Sequence, residues 1–233
     1  MKRFALRFLR SAHLWGVVLP LCGLLGGVSA KEPELLLVKR VSGEVRMTRS
    51  AADGALEVKA GDLPDSGTVF ETGTKGSLGL RYHPDLMTLD APSGTRLQVG
   101  KISGDSGAER FVTLSAGRVA GTVPRESRGL RLEDAHSSAS MRAGRLVLST
   151  TESSSTVLVL EGEANVRNRI TGAVHRVTSG QKAVSNEKGT EVTRAGEREL
   201  AASGFAVDRL EVDFWNPATE DFRTLEVEYE RRP

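Results

Sequence analysis

Between Val58 and Val99 turn signals arrive faster than any helix could accommodate. Gly61, Pro64 to Gly67, Gly73 to Gly76, His83 to Asp85 and Ser93 to Gly94 cut the stretch VKAGDLPDSGTVFETGTKGSLGLRYHPDLMTLDAPSGTRLQV into segments of strand length. An ordinary α-helix averages ~11 residues, and none of these segments offers them. Within the segments the apolar residues alternate. Leu78, Leu80 and Tyr82 are separated by Gly79 and Arg81, and Leu97 and Val99 by Gln98, which is the period of a strand with one buried face. The stretch reads as a compact all-β unit with many tight corners, and it holds no catalytic constellation.

The flanking sequence extends the pattern. Val41, Gly43, Val45 and Met47 fall on one side of a half-buried strand, with Ser42, Glu44, Arg46 and Thr48 on the other. Gly100 to Glu109, rich in Gly, Ser and charge, reads as an exposed loop. Phe111 to Val123 reads as two strands broken near Gly117, and Leu130 and Leu132 as a further strand. Ser137 to Ser140 is a small-residue stretch before the strand pattern resumes at Leu146 to Leu148. Val157 to Leu160 is apolar on both faces, which predicts a central strand covered from both sides. Ala164 and Val166 face inward on the next strand, and turns follow at Asn168 to Gly172 and at Ser179 to Gln181. Ala195 to Ala202 has the composition for two helical turns. The chain then closes with a hairpin: Leu210, Val212 and Phe214, the turn Asn216 to Thr219, then Leu225, Val227 and Tyr229. The fold expected is all-β, with short strands in a curled, solenoid-like or sandwich stack and a C-terminal β-hairpin. Residues 31–193 form its β domain and residues 194–233 its helix or linker plus hairpin.

Residues 1–30 read as an export signal rather than as part of the fold. Lys2, Arg3, Arg7 and Arg10 make the positive n-region, Leu14 to Val28 the apolar core, and Val28-Ser29-Ala30 supplies small residues for cleavage between Ala30 and Lys31. Their removal takes four of the 32 basic residues and none of the 30 acidic ones, leaving 28 against 30 and a net charge of −2 in place of +2. No basic block or basic-aromatic stripe remains, so nucleic acid is not an expected partner. Cys22, the single cysteine, leaves with the signal, so the mature chain is held by packing alone, even in an oxidising compartment.

Candidate chemistry is sparse. His83, His136 and His175 are far apart and lack carboxylates at ligand spacing, so no metal is expected and they read as solvated turn histidines. No serine lies in a nucleophile motif. Gly73-Thr74-Lys75-Gly76 precedes a strand, whereas a phosphate cradle precedes a helix. The terminal hairpin stands out. Glu211, Asp213, Glu226 and Glu228 fall on its outward face beside Trp215, where acidic residues oppose one another across strands at a cost in stability. A solvated acidic face accounts for that, and so does a docking face for a basic surface.

The organising stretch also carries a resemblance. Its order of Gly61-Asp62-Leu63, Val69, Glu71-Thr72-Gly73, Gly76 and Leu80, followed by LSAGRVAGTV (Leu114 to Val123), SSASMRAGRLVLS (Ser137 to Ser149), VLVLEGEANVRN (Val157 to Asn168) and VTSGQKAVS (Val177 to Ser185), resembles the FecR domain over roughly residues 38–193. The resemblance implies a stack of short strands in a periplasmic module. In the regulators of that family an anti-sigma segment and a membrane span precede the domain, whereas here only the short signal does. The expectation is therefore a non-enzymatic exported protein, an interaction, scaffold or signalling module of the periplasm or cell envelope. It would have no cofactor and no small-molecule substrate, and another envelope protein as partner. Two alternatives remain: a membrane-anchored signalling subunit, if residues 11–30 are retained, and a peptidoglycan or polysaccharide binder, which the low aromatic content of 5% disfavours.

Overall fold

Alternating apolar residues become strands almost throughout the computed structural model, which describes residues 35–49, 54–104, 107–202, 208–216 and 221–229. The strands in chain order are β1 (Leu35–Ser42), β2 (Val45–Thr48), β3 (Leu56–Glu57), β4 (Val69–Thr72), β5 (Ser77–His83), β6 (Thr88–Ala91) and β7 (Arg96–Gly104). They continue with β8 (Gly107–Val123), β9 (Leu130–Glu133), β10 (Ser137–Thr150), β11 (Ser155–Asn168), β12 (Val174–Thr178), β13 (Gln181–Asn186) and β14 (Gly189–Arg194). A short helix α1 (Glu197–Ala202) separates these from the hairpin of β15 (Asp208–Asn216) and β16 (Asp221–Tyr229). The fold is all-β, as the sequence predicts. β1 to β14 share one hydrogen-bonded sheet of 14 strands, and β15 and β16 form a sheet of two.

The large sheet folds over because its longest strands change neighbours halfway. Arg110 to Ala116 of β8 pairs antiparallel with β7, and Arg110 to Thr113 pairs parallel with β9. Beyond Gly117 the same strand pairs with β10 and β6 instead. A strand has only two lateral edges, so this exchange of partners carries β8 from one layer to the other. β10 and β11 do the same. Ser138 to Met141 pairs with β9 and Gly144 to Thr150 with β8, while Ser155 to Val159 pairs with β13 and Glu163 to Arg167 with β12. The result is two layers whose inner faces meet in one apolar core, from Val38, Phe70 and Leu80 through Leu114 and Leu132 to Leu148, Val159 and Val177.

Two corners show why glycine is needed there. Gly117 adopts φ +83° where β8 bends, and a Cβ on it would press on the Gly94 carbonyl and on Thr95. Gly144 adopts φ +124°, and its Cβ would fall well inside van der Waals contact of the Glu161 carbonyl on the neighbouring strand. Gly144→Ala combines strained backbone with a backbone clash, and is expected to cost at least ~2–3 kcal/mol. Chemical denaturation of the variant checks this, with Gly172→Ala as a comparison that shares a positive φ, +76°, but meets open space.

Several sequence expectations change. Phe111 to Val123, expected as two strands, lies in the single strand β8, which bends at Gly117, and Ala164 and Val166, expected on the strand after Val157 to Leu160, share β11 with it. The single strand expected through Val41 to Met47 is broken at Gly43, φ +64°, so that β1 lies in one layer and β2 in the other. The loop expected over Gly100 to Glu109 is the outer part of the β7–β8 hairpin, paired from Gly100↔Phe111 to Gly104↔Gly107. Backbone bonding alone extends a ladder past its apolar residues, and composition does not report that. Ser137 to Ser140 is likewise strand, with Ala139 packed in the core between small neighbours.

The central strand is where the sequence places it. Val157 and Val159 are fully buried between the layers, while Leu158 lies on the opposite face with Ala120 and Val147. Ala195 and Leu200 cover that second face, Leu200 from α1. Glu199 fastens the helix: it accepts from the Gly196 backbone N–H at 2.9 Å and pairs with Lys182 Nζ at 2.5 Å, and the Lys182 hydrogen bond followed by the Gly196 N–H holds its carboxyl below the usual range.

Candidate interaction surfaces

The hairpin forms as its alternation predicts, and its register fixes which residues oppose one another. Glu211 lies opposite Glu226, a like-charged pair, whereas Glu228 lies opposite Arg209 and Asp213 opposite Thr224. Acid facing acid is therefore confined to one pair. Trp215 lies opposite Phe222, an aromatic pairing that alternation alone does not match up. By register Arg209, Glu211, Asp213, Trp215, Phe222, Thr224, Glu226 and Glu228 fall on one face of the ribbon. The turn Pro217 to Glu220 and the cleavage pair Ala30 and Lys31 lie outside the described residues.

A second feature sits at one end of the two-layered sheet. Arg110 has the same strand parity as Val112 and Leu114 and so points into the core, where only 1% of its side chain is exposed. Its charge is met by Asp85, in the turn between β5 and β6, through a close ion pair, and Ser127 Oγ donates to the same carboxylate at 2.8 Å. The guanidinium also lies 4.9 Å above the Tyr82 ring, a cation–π contact. Burial would raise the Asp85 pKa, but the charged hydrogen bond from Arg110, that from Ser127 and the Met87 N–H outweigh it and hold the carboxyl below 3.8. These contacts tie the β5–β6 turn and the β8–β9 connection to strand β8 and close this end of the core.

The turn thus fixed presents an unusual residue. Leu86 adopts φ +58° and is half exposed, a conformation that glycine and asparagine accept readily and leucine does not. Leu35, paired in register with His83, and Leu63 line a shallow groove of about 160 Å³ together with Leu36, Tyr82 and Val99.

The opposite end is closed by polar side chains. Asp134 Oδ1 accepts from the backbone N–H groups of His136 and Ser137, at 2.9 and 2.7 Å, and Ser155 Oγ donates to Ser137 Oγ at 2.9 Å. Asn168, fully buried, donates to the carbonyls of Asn186 and Gly189 and accepts from the N–H groups of Ile170 and Thr171. His136 is therefore a buried member of a turn network, not the solvated histidine expected; the carboxylate two residues before it captures the backbone and folds the ring inward. Among the described residues no three His, Cys, Asp or Glu side chains gather as a metal site.

No family model matches the sequence, and no curated protein matches it either. Two crystal structures, each of a "putative anti-sigma factor" from Parabacteroides distasonis ATCC 8503, are similar to part of the chain. One superposes with a TM-score of 0.49 over 65% of this chain and 70% of its own, at 13% identity. The other gives 0.47 over 65% and 69%, at 14% identity. At that level of similarity the description stays with those proteins.

Proposed function

We propose that the chain is an exported, non-enzymatic interaction and scaffold module of FecR-domain type, working in the periplasm or cell envelope without a cofactor and without a small-molecule substrate. The observation that carries the reading is the terminal hairpin. It has a sheet of its own, its ribbon opposes Glu211 to Glu226, and Asp213, Trp215 and Glu228 fall on that face. A like-charged pair across strands costs a few tenths of a kcal/mol or more, and the strict alternation of the ribbon assigns Leu210, Val212, Leu225 and Val227 to its other face. A basic surface on another envelope protein would offset that cost and fit the acidic face with its tryptophan.

The test is recovery of the protein from the periplasmic fraction together with whatever it holds, both identified by mass spectrometry. The protein is expected to start at Lys31 and to retain a partner. Combined Glu211→Lys, Glu226→Lys and Trp215→Ala changes are expected to release that partner with the melting temperature nearly unchanged. Retention of the partner by the triple variant rejects the acidic face as its docking site, and an intact Met1 terminus in the membrane pellet rejects cleavage.

A second reading, a membrane-anchored signalling subunit, draws on a different observation: the first described strand begins at the end of the fold where Leu35, Leu63 and Leu86 are exposed. In that reading Leu14 to Val28 is retained as the anchor.

A further inference from the structure

We infer that two copies of this chain join edge to edge along β14, antiparallel about a two-fold axis at Val192. The large sheet ends in four strands that have a single sheet neighbour each, β1, β3, β12 and β14. An open strand edge is a template for another strand, and proteins that stay apart blunt it. Three of these edges are blunted. β3 is two residues long. β1 carries a register shift between Val38 and Arg40, and its other side is taken by bonds from the Val38 N–H to the Asp62 carbonyl and from the Gly61 N–H to the Val38 carbonyl. β12 holds Arg176, and Gln181 Oε1 accepts from its Thr178 N–H at 2.9 Å. β14 has none of these devices: it contains no Pro or Lys and pairs with β13 without a register shift.

Pairing with β13 fixes which way the backbone of β14 points. Asn186 and Gly189 flank a two-residue turn and so form a hydrogen-bonded pair, and the Ala195 N–H donates to the Gly180 carbonyl at 2.9 Å with the same parity. Gly189, Glu191, Thr193 and Ala195 therefore turn their backbone groups toward β13. That leaves the N–H and C=O groups of Thr190, Val192 and Arg194 pointing away from the sheet. No backbone bond from another described segment reaches those three residues. The edge is also held in place: Asn168 Nδ2 donates to the Asn186 and Gly189 carbonyls, at 3.0 and 2.9 Å, so little ordering is left to do on pairing.

The choice of a second copy as the partner comes from self-complementarity. With Val192 opposite Val192 of the second copy, Thr190 falls opposite Arg194, and the outward groups meet as hydrogen-bonded pairs, each exchanging both of its bonds. A two-fold at Glu191 or Thr193 would instead call on backbone groups that β13 already uses. On the other face of the strand Glu191 falls opposite Thr193, so no like charges oppose one another. Val192 is partly buried against the main core, and meeting its own copy across the axis would continue that core from one molecule to the next. The acidic hairpin, a sheet of its own, plays no part in this contact.

Sedimentation velocity of the exported protein, in the form recovered from cells, tests this over a concentration series. A monomer–dimer equilibrium half-formed in the micromolar range is expected, because a single pair of strands buries less than a permanent interface does. Val192→Pro removes an N–H that points outward and leaves the bonds to β13 in place, so the variant is expected to fold. It is expected to dimerise at least about tenfold more weakly, because both bonds across the axis lose their donors. Thr193→Pro, which deletes an N–H bonded to β13, is expected to melt well below Val192→Pro. Crosslinking tests the register even if Val192→Pro does not fold. In a Cys22→Ser background, gentle oxidation of Glu191→Cys chains mixed with Thr193→Cys chains is expected to give a disulfide-linked dimer, since those positions face each other as a non-hydrogen-bonded pair. Glu191→Cys chains alone lie a diagonal apart, ~7–8 Å, and are expected not to link. A monomer at every concentration, a dimer that Val192→Pro leaves intact, or Glu191→Cys chains that link as well alone as mixed overturns the inference. Glu211→Lys with Glu226→Lys is expected to leave the dimer unchanged, so failure of the hairpin reading and failure of this one remain distinguishable; a dimer lost in that variant moves the contact to the hairpin and overturns the edge.

Discussion

Replacing Val159 by aspartate is expected to leave no folded protein. Val159 is fully buried, lies opposite Leu146 on one side and Gln181 on the other, and belongs to the strand on which both layers converge. An unpaired carboxylate there would have to ionise in an apolar interior or be protonated at a cost, and either way the penalty is several kcal/mol. That is comparable with the whole ~5–15 kcal/mol stability of a domain. Circular dichroism and solubility of the purified variant check it. Arg167→Asp, on the exposed face of the same strand, is expected to stay within about 0.5 kcal/mol of the parent. If Val159→Asp melts like the parent, β11 is not central and the two-layer arrangement is wrong.

How much of this fold is legible in the sequence depends on whether a signal is local. Alternation exposes β5, β9, the centre of β11 and the terminal hairpin, because one buried face leaves a period of two in any strand that has it. It does not reveal the corners. Gly117, Gly144 and Gly162 look like other glycines, and only their neighbours across the sheet show that a strand changes layers there. The distal part of the β7–β8 hairpin reads as a loop because Ile102 is the single large apolar residue between Gly100 and Glu109, yet backbone ladders need no apolar residues. Arg110 is legible in part, since its parity with Val112 and Leu114 puts it inside. Its partner is not: Asp85 lies 25 residues away in a turn whose sequence looks merely solvated. Leu86 is invisible for a related reason. Sequence rules keep leucine out of the left-handed region, so its place there is set by the fold around the turn and not by its own preference. The acidic face of the hairpin is readable as a composition, while the limitation of like-charge opposition to Glu211 and Glu226 requires the register.

The second large effect belongs to the buried ion pair. Asp85→Asn keeps the shape of the side chain but leaves the Arg110 cation, 1% exposed, without its carboxylate, and is expected to destabilise the fold by about 3–5 kcal/mol. Arg110→Met is expected to cost less than the charged orphan does, because the Asp85 side chain is 11% exposed and can be partly rehydrated. The double variant Arg110→Met with Asp85→Asn is expected to recover most of the Asp85→Asn loss, since a neutral pair leaves no buried charge, and the coupling follows from a double-mutant cycle by urea denaturation. The pH dependence carries the same information with a definite sign. Burial pushes the folded Asp85 carboxyl up, but the hydrogen bonds from Arg110 and Ser127 outweigh it and hold the group below its unfolded value of 3.8. The stability it contributes is therefore fully present above about pH 4–5 and is lost as the pH falls below 3.8 through the lowered folded value. The stability gap between parent and Asp85→Asn should be wide at neutral pH and shrink on acidification through that window, as the parent carboxyl takes up its proton and comes to resemble the amide. A gap that stays constant from neutral pH down to pH ~2, or a double variant as unstable as the worse single one, would show that Arg110 draws its stabilisation from other contacts and that the Asp85 turn is not what closes this end of the core.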